Sequence, residues 1–155
     1  LLELEIPEIE DGIIEIKNIA REAGSRTKVA VYSEDPNLDV KGACIGKNGM
    51  RIQSIIDELQ GEKIDIVLWD EDIATFVKNA LNPAEVVSVN IIENEDERVA
   101  RVIVKEDQLS LAIGKRGQNS RLAAKLCGIK IDIHTVESYE DDIDEYEEDE
   151  IEGEE

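Results

Sequence analysis

The five residues Ile45-Gly46-Lys47-Asn48-Gly49 recur 68 residues later in the chain as Ile113-Gly114-Lys115-Arg116-Gly117. Both stretches share the pattern Ile-Gly-Lys-x-Gly, and similar sequence surrounds each of them. Self-similarity of this kind is typical of a duplicated folding unit. The repeat therefore predicts one small unit that occurs twice along the chain.

The sequence around each glycine motif follows one order of predicted elements. A run of β-branched residues comes first, and a segment long enough for one or two helical turns leads into the motif. A helical pattern follows the motif and ends at a glycine, a common helix stop. An alternating strand closes each copy. In chain order the elements are residues 28–31, 37–44, 50–59 with Gly61, and 63–67 in the first copy, and residues 101–104, 107–112, 122–127 with Gly128, and 130–133 in the second.

Further elements are predicted upstream of each β-branched run. A strand is expected at residues 12–17 in the first copy and at residues 86–92 in the second. A helix is expected at residues 70–81, where Asp70 or Asp72 could cap it. The matching helix of the first copy would lie in residues 1–10, which contain Pro7. Each unit thus reads helix, strand, strand, short helix, glycine motif, helix, strand.

The glycine motif has the residue types needed to hold a phosphodiester. Glycine allows positive φ and a close approach of the backbone to a ligand. The second glycine begins a helix, whose free amides and dipole favour an anion. The residues between the glycines are Lys47-Asn48 and Lys115-Arg116, which are cationic or carry donors. A simple helix–helix turn with solvated lysines is the alternative, but the basic motif occurs twice in matching contexts, which favours function.

Charge is distributed unevenly along the chain. The 155 residues include 38 acidic and 17 basic side chains, for a net charge of −21, which alone would argue against nucleic-acid binding. However, residues 137–155 contain 13 acids and no base, and residues 1–11 contain 5 acids and no base. The body between them is nearly neutral. We expect residues 137–155 to be a disordered, solubilising acidic tail, with docking to a partner or competition with RNA for the basic loops as alternatives.

Several classes of protein are disfavoured by composition. Aromatic residues make up 3% of the chain, which argues against stacking platforms for bases. Cys44, Cys127 and His134 have no zinc-site spacing, so we expect reduced cysteines, no metal and no cofactor. Neither a membrane-spanning run nor a signal peptide is visible. With no phosphate-binding GxxxxGK[ST] loop and no nucleophile–His pair, we expect a protein that is not an enzyme.

The duplicated motif and its context resemble the KH domain, in which a GxxG loop clamps the nucleic-acid backbone beside an apolar groove. Two strands stand before each GxxG, and little chain remains after the second closing strand. This order resembles the bacterial, type II form. The resemblance implies an α+β fold of two tandem type II (prokaryotic) KH domains, each a three-stranded sheet packed against helices. We expect the first domain at residues 1–69 and the second at residues 70–136.

A narrower resemblance rests on residues 19–31 and 113–123. These stretches are similar to the KH region of bacterial transcription termination/antitermination factors, and the similarity extends over about residues 5–136. It implies a cytoplasmic, monomeric protein that binds single-stranded nascent RNA, RNA polymerase and other transcription factors, without a membrane partner. It also implies a role in pausing, termination and antitermination. The family carries a polymerase-binding domain and an S1 domain, so the chain is expected to be a fragment.

Candidate RNA-binding residues follow from the loops and from the resemblance. The loop glycines should admit the backbone, the loop cations should contact phosphates, and two helix arginines lie close behind them. This primary set is Gly46, Lys47, Asn48, Gly49, Arg51, Gly114, Lys115, Arg116, Gly117 and Arg121. A secondary set combines basic residues at the first hairpin with two polar residues that could instead cap a helix: Arg21, Arg26, Lys28, Asn119 and Ser120.

The groove beside each loop should have aliphatic walls, although most of that area is expected to be ordinary core. The predicted wall residues are Ile45, Ile52, Ile64, Ile66, Ile113, Leu122, Ile131 and Ile133. A KH-based scaffold that docks on RNA polymerase or other factors, with little RNA binding, is the alternative function. The basic residues inside both loops argue against it.

Overall fold

The computed structural model describes residues 1–137 and contains two three-stranded sheets. The strand order is β1-β2-β3 in one sheet and β4-β5-β6 in the other. In each sheet the first two strands are antiparallel and the last two are parallel. The acidic tail predicted at residues 137–155 lies, apart from its first residue, outside the described residues.

The first unit runs from α1 to β3. Two single-turn helices open it, and a hairpin, a helix pair and a parallel strand follow. Its elements are α1 (Leu2–Glu5), α2 (Pro7–Glu10), β1 (Glu15–Glu22), β2 (Arg26–Tyr32), α3 (Val40–Ile45), a 3-10 turn (Lys47–Gly49), α4 (Met50–Glu58) and β3 (Lys63–Leu68).

The second unit repeats this order with one longer opening helix. Its elements are α5 (Ile73–Ala80), β4 (Ser88–Glu93), β5 (Arg98–Val104), α6 (Glu106–Ile113), a 3-10 turn (Lys115–Gly117), α7 (Gln118–Cys127) and β6 (Lys130–Thr135). The predicted fold class is confirmed: α+β, with helix, two strands, two helices around a glycine turn, and a final parallel strand in each unit.

The first strand of the first unit lies several residues later than predicted. The sequence indicated residues 12–17, whereas β1 covers Glu15–Glu22 and continues to the hairpin turn. A bulge between Ile16 and Asn18 shifts the register against β2. Such a bulge breaks the strict alternation of a strand, so the polar residues after Lys17 do not show the expected pattern.

The opening helices differ in the two units for local reasons. In the first unit Pro7 begins α2, so the predicted helix at residues 1–10 is divided into two single turns. Proline lacks the amide that would continue α1. In the second unit Asp72 caps α5, and its carboxylate accepts hydrogen bonds from the amide and the hydroxyl of Thr75.

Each sheet buries one face under its own helices. In the first unit this core contains Val29, Val31 and Ile66 from the sheet, with Cys44 and Ile55 from α3 and α4. In the second unit Ala100, Val102 and Val104 pack with α6 and α7. The burial of alternate strand residues is what the period-2 pattern of the sequence predicts.

The opposite face of the first sheet is buried under the second unit. Ala20, Ala30 and Val67 join the same apolar cluster as Phe76 of α5 and Leu126 of α7. The small alanine side chains let the helices approach the sheet closely. The side-chain amide of Asn18 donates to the carbonyl of Leu126 across this contact, at 2.9 Å. This cluster therefore spans the second unit and one face of the first sheet, while the first unit keeps a second core on the other face.

Among residues 1–137, no helix is both long and apolar enough to cross a membrane.

Candidate functional site

The two glycine loops, residues 46–49 and 114–117, have the same backbone conformation. The first glycine has φ and ψ of 81° and 169° in Gly46, and 80° and 170° in Gly114. The third position is left-handed although it is not glycine, with φ of 56° at Asn48 and 57° at Arg116. The second glycine also matches, with φ of 72° at Gly49 and 74° at Gly117, so both copies of the Gly-x-x-Gly pattern form the same turn.

The two glycines of each loop are needed for different reasons. A Cβ on Gly114 would lie 2.7 Å from the amide nitrogen of Asn119, and one on Gly46 would lie 2.7 Å from Cγ of Arg51. The first glycine thus packs tightly on the following helix. A Cβ on Gly49 would meet nothing within 4 Å, and one on Gly117 would meet only Nη1 of Arg121 at 3.8 Å. The second glycine keeps its side of the loop open.

The side chains between the glycines are exposed. Lys47, Asn48, Lys115 and Arg116 are all exposed. Within residues 1–137, none of these three cations takes part in an ion pair. These cations are therefore available to a ligand anion. The second loop carries two of them, Lys115 and Arg116, and the first loop carries one, Lys47.

Arg51 lies behind the first loop and has partners within the protein. Its Nη1 donates to the carboxylate of Glu8 and to the carbonyl of Ala43, both at 2.8 Å. Its side chain also packs against Gly46. Arg51 thus holds α2, α3 and α4 together at the loop, and it is a poorer candidate for an RNA contact than Lys47.

Asn119 occupies the same position behind the second loop, and the structure corrects the expectation for it. Its side chain is 1% exposed, so it lies away from the surface. Its amide donates to the carbonyls of Leu81 and Ala112, both at 3.0 Å. It does not cap α7 either, because the N-cap residue of that helix is Gly117 and no side chain caps it. Asn119 joins α5, α6 and α7 beneath the loop.

Arg121 and Ser120 lie on the first turns of α7. The Nε of Arg121 donates to the carboxylate of Glu22 at 2.6 Å, and its Nη1 donates to the carbonyl of Arg116 at 3.0 Å. The hydroxyl of Ser120 donates to the carbonyl of Gly117 at 3.1 Å. Arg121 is close to the second loop, as predicted, but it is paired with an acid from the first unit.

The three residues of the predicted basic cluster at the first hairpin are all paired with two acids, Asp65 of β3 and Glu62 just before that strand. The guanidinium of Arg21 donates to Glu62 at distances of 2.9 to 3.2 Å. Arg26 and Lys28 both donate to Asp65 at 2.8 Å. The sequence did not reveal these pairs because they depend on the parallel register, which sets Lys28 opposite Asp65.

Lys28 is the clearest correction in this cluster. Its side chain is fully buried, and its Nζ also donates to the carbonyl of Asn82 at 2.9 Å, between the two units. Burial lowers the pKa of Lys28, partly offset by the neighbouring Asp65. Lys28 is therefore a structural group at the contact between units and cannot extend an RNA surface.

A cleft of about 440 Å³ borders β3, the edge strand of the first sheet. Its walls combine Ile66 and Leu68 of the strand with Lys41 of α3 and Lys78 and Asn79 of α5. Lys41 belongs to the first unit and Lys78 to the second, so the two lysines come together only because the units dock. The sequence contained no signal for these two cations.

The aliphatic wall residues divide into core and surface. Leu122 and Ile66 are buried, whereas Ile113 is 38% exposed. Leu111, two residues earlier on α6, is 44% exposed and was not predicted as a wall residue. Exposed apolar side chains of the second unit therefore occur on α6, immediately before the glycine loop, as well as at Val87 and Ile92.

The cysteines have no place in a reactive site. Burial raises the pKa of the Cys44 thiol to about 11 and that of Cys127 to about 12. Thiols that stay protonated are poor nucleophiles and metal ligands. Within residues 1–137, no cluster of three or more histidine, cysteine or acidic side chains could hold a metal ion.

Comparison with known families matches both halves of the chain. Residues 1–69 match the NusA-like first KH domain, and residues 73–141 match the NusA-like second KH domain. The chain belongs to the NusA-like KH domain family. The resemblance inferred from the glycine motifs and from residues 19–31 and 113–123 is thereby confirmed.

Similar curated proteins carry the name transcription termination/antitermination protein NusA. The protein of Halalkalibacterium halodurans is 60% identical over 133 residues, which are 86% of this chain and 34% of the relative. That of Bacillus subtilis is 58% identical over 133 residues, 86% of this chain and 35% of the relative. That of Thermus thermophilus is 54% identical over 145 residues, 94% of this chain and 36% of the relative. The chain thus spans about a third of the length of these relatives.

A solved structure shares the fold. The crystal structure of APE1850 aligns with a TM-score of 0.60 and 26% sequence identity, and the alignment covers 85% of this chain and 96% of that one.

Proposed function

We propose that this chain binds single-stranded RNA through its two glycine loops, as part of a transcription elongation factor that modulates pausing, termination and antitermination. The observation that carries the proposal is the pair of loops with the same backbone, exposed unpaired cations and an open second glycine. Two loops of the same geometry, each with unpaired cations, suit a ligand whose backbone carries a negative charge at every repeat, such as RNA.

The chemistry of the proposed contact is electrostatic and depends on the backbone of the RNA. A phosphate that approaches the second glycine of a loop meets the positive end of the dipole of α4 or α7. Lys47 on one loop and Lys115 with Arg116 on the other supply the compensating charge. Bases would lie against the exposed aliphatic side chains Leu111 and Ile113 and along the cleft that contains Lys41. Recognition of this kind is expected to be weakly selective for sequence.

The role in transcription rests on the family and on the relatives' name. NusA-like KH domains make up residues 1–69 and 73–141, and the relatives are transcription termination/antitermination proteins. We infer that nascent RNA is the ligand and that RNA polymerase and other transcription factors are partners of the longer protein. We also propose that the protein acts as a monomer in the cytoplasm.

The proposal is tested by titrating a fluorescent single-stranded RNA and following its anisotropy. In the double variant Lys115→Asp, Arg116→Asp, affinity should fall at least about ten-fold at about 100 mM KCl, because two phosphate contacts become repulsive. The circular dichroism melt should stay nearly unchanged, since both side chains are exposed.

A matched control uses Arg98→Asp with Lys130→Asp. These two cations are exposed and already paired with Glu93 and Glu97, so the same charge reversal should change RNA affinity much less. Single-stranded RNA should also bind more tightly than duplex RNA, and affinity should fall as KCl rises. Equal losses in both double variants would argue against the loops and for a general charge effect. Undiminished RNA binding in the loop variant, or none in the wild type, would favour the protein-docking scaffold.

A further inference from the structure

We propose that Glu22 of the first unit is a resident anion at the second glycine loop, which the RNA phosphate must displace from Arg121 and Gln118. Glu22 would thereby lower the affinity of the second loop for RNA while the protein is free. This inference rests on the proposed function, because it concerns the strength of binding at the same loop.

The contacts of Glu22 cross from one unit to the other. Glu22 ends β1, and its carboxylate accepts a hydrogen bond of 2.6 Å from Nε of Arg121 and one of 2.7 Å from the side-chain amide of Gln118. Gln118 also donates to the hydroxyl of Ser25 at 2.7 Å. Both donors lie on the first two turns of α7, directly after the loop. The carboxylate of Glu22 therefore already accepts hydrogen bonds from two donors beside the loop that could otherwise bond to a phosphate oxygen.

The surroundings of Glu22 are cationic. A cleft of about 400 Å³ is lined by Glu22, Ser25, Lys115, Arg116, Gln118 and Arg121. Glu22 is the one acid among these described residues, facing three cations. Hydrogen bonds from Gln118 and Arg121 lower the pKa of Glu22, so the side chain is ionised at neutral pH. The cleft thus contains a negative charge beside Lys115 and Arg116, the two cations to which the proposed function assigns a phosphate.

The pair of Glu22 and Arg121 is open to competition. The side chains are 26% and 44% exposed, and ion pairs at such positions contribute little net stability. A phosphodiester oxygen can replace the carboxylate at modest cost, because it offers the guanidinium an equivalent acceptor. The charge of Glu22 should consequently affect RNA binding more than it affects folding.

At the first loop the arginine behind the turn, Arg51, is paired with Glu8 of its own unit and not with an acid of the neighbouring unit. The helical position that corresponds to Arg121 is Gln53, whose side-chain amide donates to Asp57 on its own helix at 2.8 Å. Space around Gly49 is open, whereas Nη1 of Arg121 lies 3.8 Å from the Cβ position of Gly117. Arg121, whose counterpart in the first unit is the uncharged Gln53, is thus paired with an acid from the neighbouring unit.

The test compares Glu22→Gln with Glu97→Gln in the RNA titration. Glutamine keeps the shape of the side chain and removes its charge. At about 50 mM KCl, Glu22→Gln should tighten RNA binding about five-fold, the effect of one unit charge a few ångströms away in water, and the gain should shrink at higher salt. Glu97→Gln removes the same charge from the second hairpin, where Glu97 pairs with Lys130 of β6. This variant should alter RNA affinity by less than about two-fold.

Three results would overturn the inference. Weaker RNA binding in Glu22→Gln would show that Glu22 positions Arg121 for RNA and does not compete with it. Equal effects of the two variants would reduce the role of Glu22 to net charge. An Nε–H NMR resonance of Arg121, assigned by its loss in Arg121→Lys, that stays unchanged when wild-type protein is saturated with RNA would show that no displacement occurs. The Lys115→Asp, Arg116→Asp variant in the same assay separates failure of this inference from failure of the loops to bind RNA.

Discussion

The two glycine loops have one backbone conformation and two different supports. Behind the first loop, Arg51 reaches Glu8 at the surface and the carbonyl of Ala43. Behind the second, buried Asn119 bonds two carbonyls, while Arg121 and Glu22 bring the neighbouring unit against the loop. The Gly-x-x-Gly turn is therefore the same in both units, although different side chains support it. A loop's available charge also depends on what the rest of the molecule places beside it.

The largest expected effect comes from adding a methyl group to the first or to the second glycine of one loop. Gly114→Ala should destabilise the protein by at least about 3 kcal/mol, because the new Cβ meets the backbone of α7 at a left-handed φ. Gly117→Ala should cost only about 1–2 kcal/mol, since its surroundings are open and only the left-handed φ is unfavourable. Thermal and urea unfolding measure both values. Equal losses would mean that φ, and not packing, limits the first glycine.

The side chains behind the two loops, Arg51 and Asn119, can be removed separately. Asn119→Ala should cost about 2–3 kcal/mol, because two carbonyls in a buried place lose their donor. Arg51→Ala should cost about 1 kcal/mol, because its partners lie nearer to water. Urea unfolding gives these differences, and an RNA titration adds a second readout. A large loss of RNA affinity in Arg51→Ala with unchanged stability would return Arg51 to the RNA-contacting set.

The two hairpins should respond differently to acid. In the first hairpin, the amide of Gly24 donates to the carboxylate of Glu62 at 2.7 Å. In the second, the amide of Glu97 donates at 2.8 Å to the side-chain carbonyl of Asn94, which does not titrate. Hydrogen bonds from Arg21 and Thr27 lower the pKa of Glu62 to about 2 from 4.5.

A lowered carboxyl pKa in the folded state stabilises the protein above the ordinary pKa and ceases to do so below the folded one. The contribution of Glu62 should therefore be complete above about pH 4.5 and disappear as pH falls towards about 2. Hydrogen exchange should show the Gly24 amide losing protection over this range while the Glu97 amide keeps it. Glu62→Gln should lower stability by about 1–2 kcal/mol at neutral pH and remove most of this acid dependence. Parallel loss of protection at both amides would indicate global unfolding instead.

The smallest expected difference between the two loops is in how strongly RNA affinity depends on salt concentration. Neutralising Lys47 to Gln should reduce the slope of log affinity against log salt by about 0.7, and neutralising Lys115 with Arg116 should reduce it by about 1.4. RNA titrations over a range of KCl concentrations measure both slopes. Identical reductions would mean that only one cation of the second loop contacts phosphate, which would sharpen the assignment between Lys115 and Arg116.

Much of the fold follows from local sequence. The duplicated motif, the glycine stops and the alternating strands predict the order of elements in both units and the position of each loop. The strand at residues 12–17 was misplaced because a bulge in β1 breaks the alternation on which the prediction depends. Asp72 was one of two predicted caps for α5, and the structure selects it.

The two loops follow from local sequence, since glycine spacing and backbone sterics act over a few residues. Which cations remain free depends on the tertiary structure. Lys28 and Arg26 are engaged by Asp65, Arg21 by Glu62, and Arg121 by Glu22, through partners 37 to 99 residues away in the chain. These pairings depend on the register of parallel strands and on the docking of α7 against the first sheet. Electrostatic contacts across such distances follow from packing, and packing sums many weak interactions that no short stretch of sequence contains.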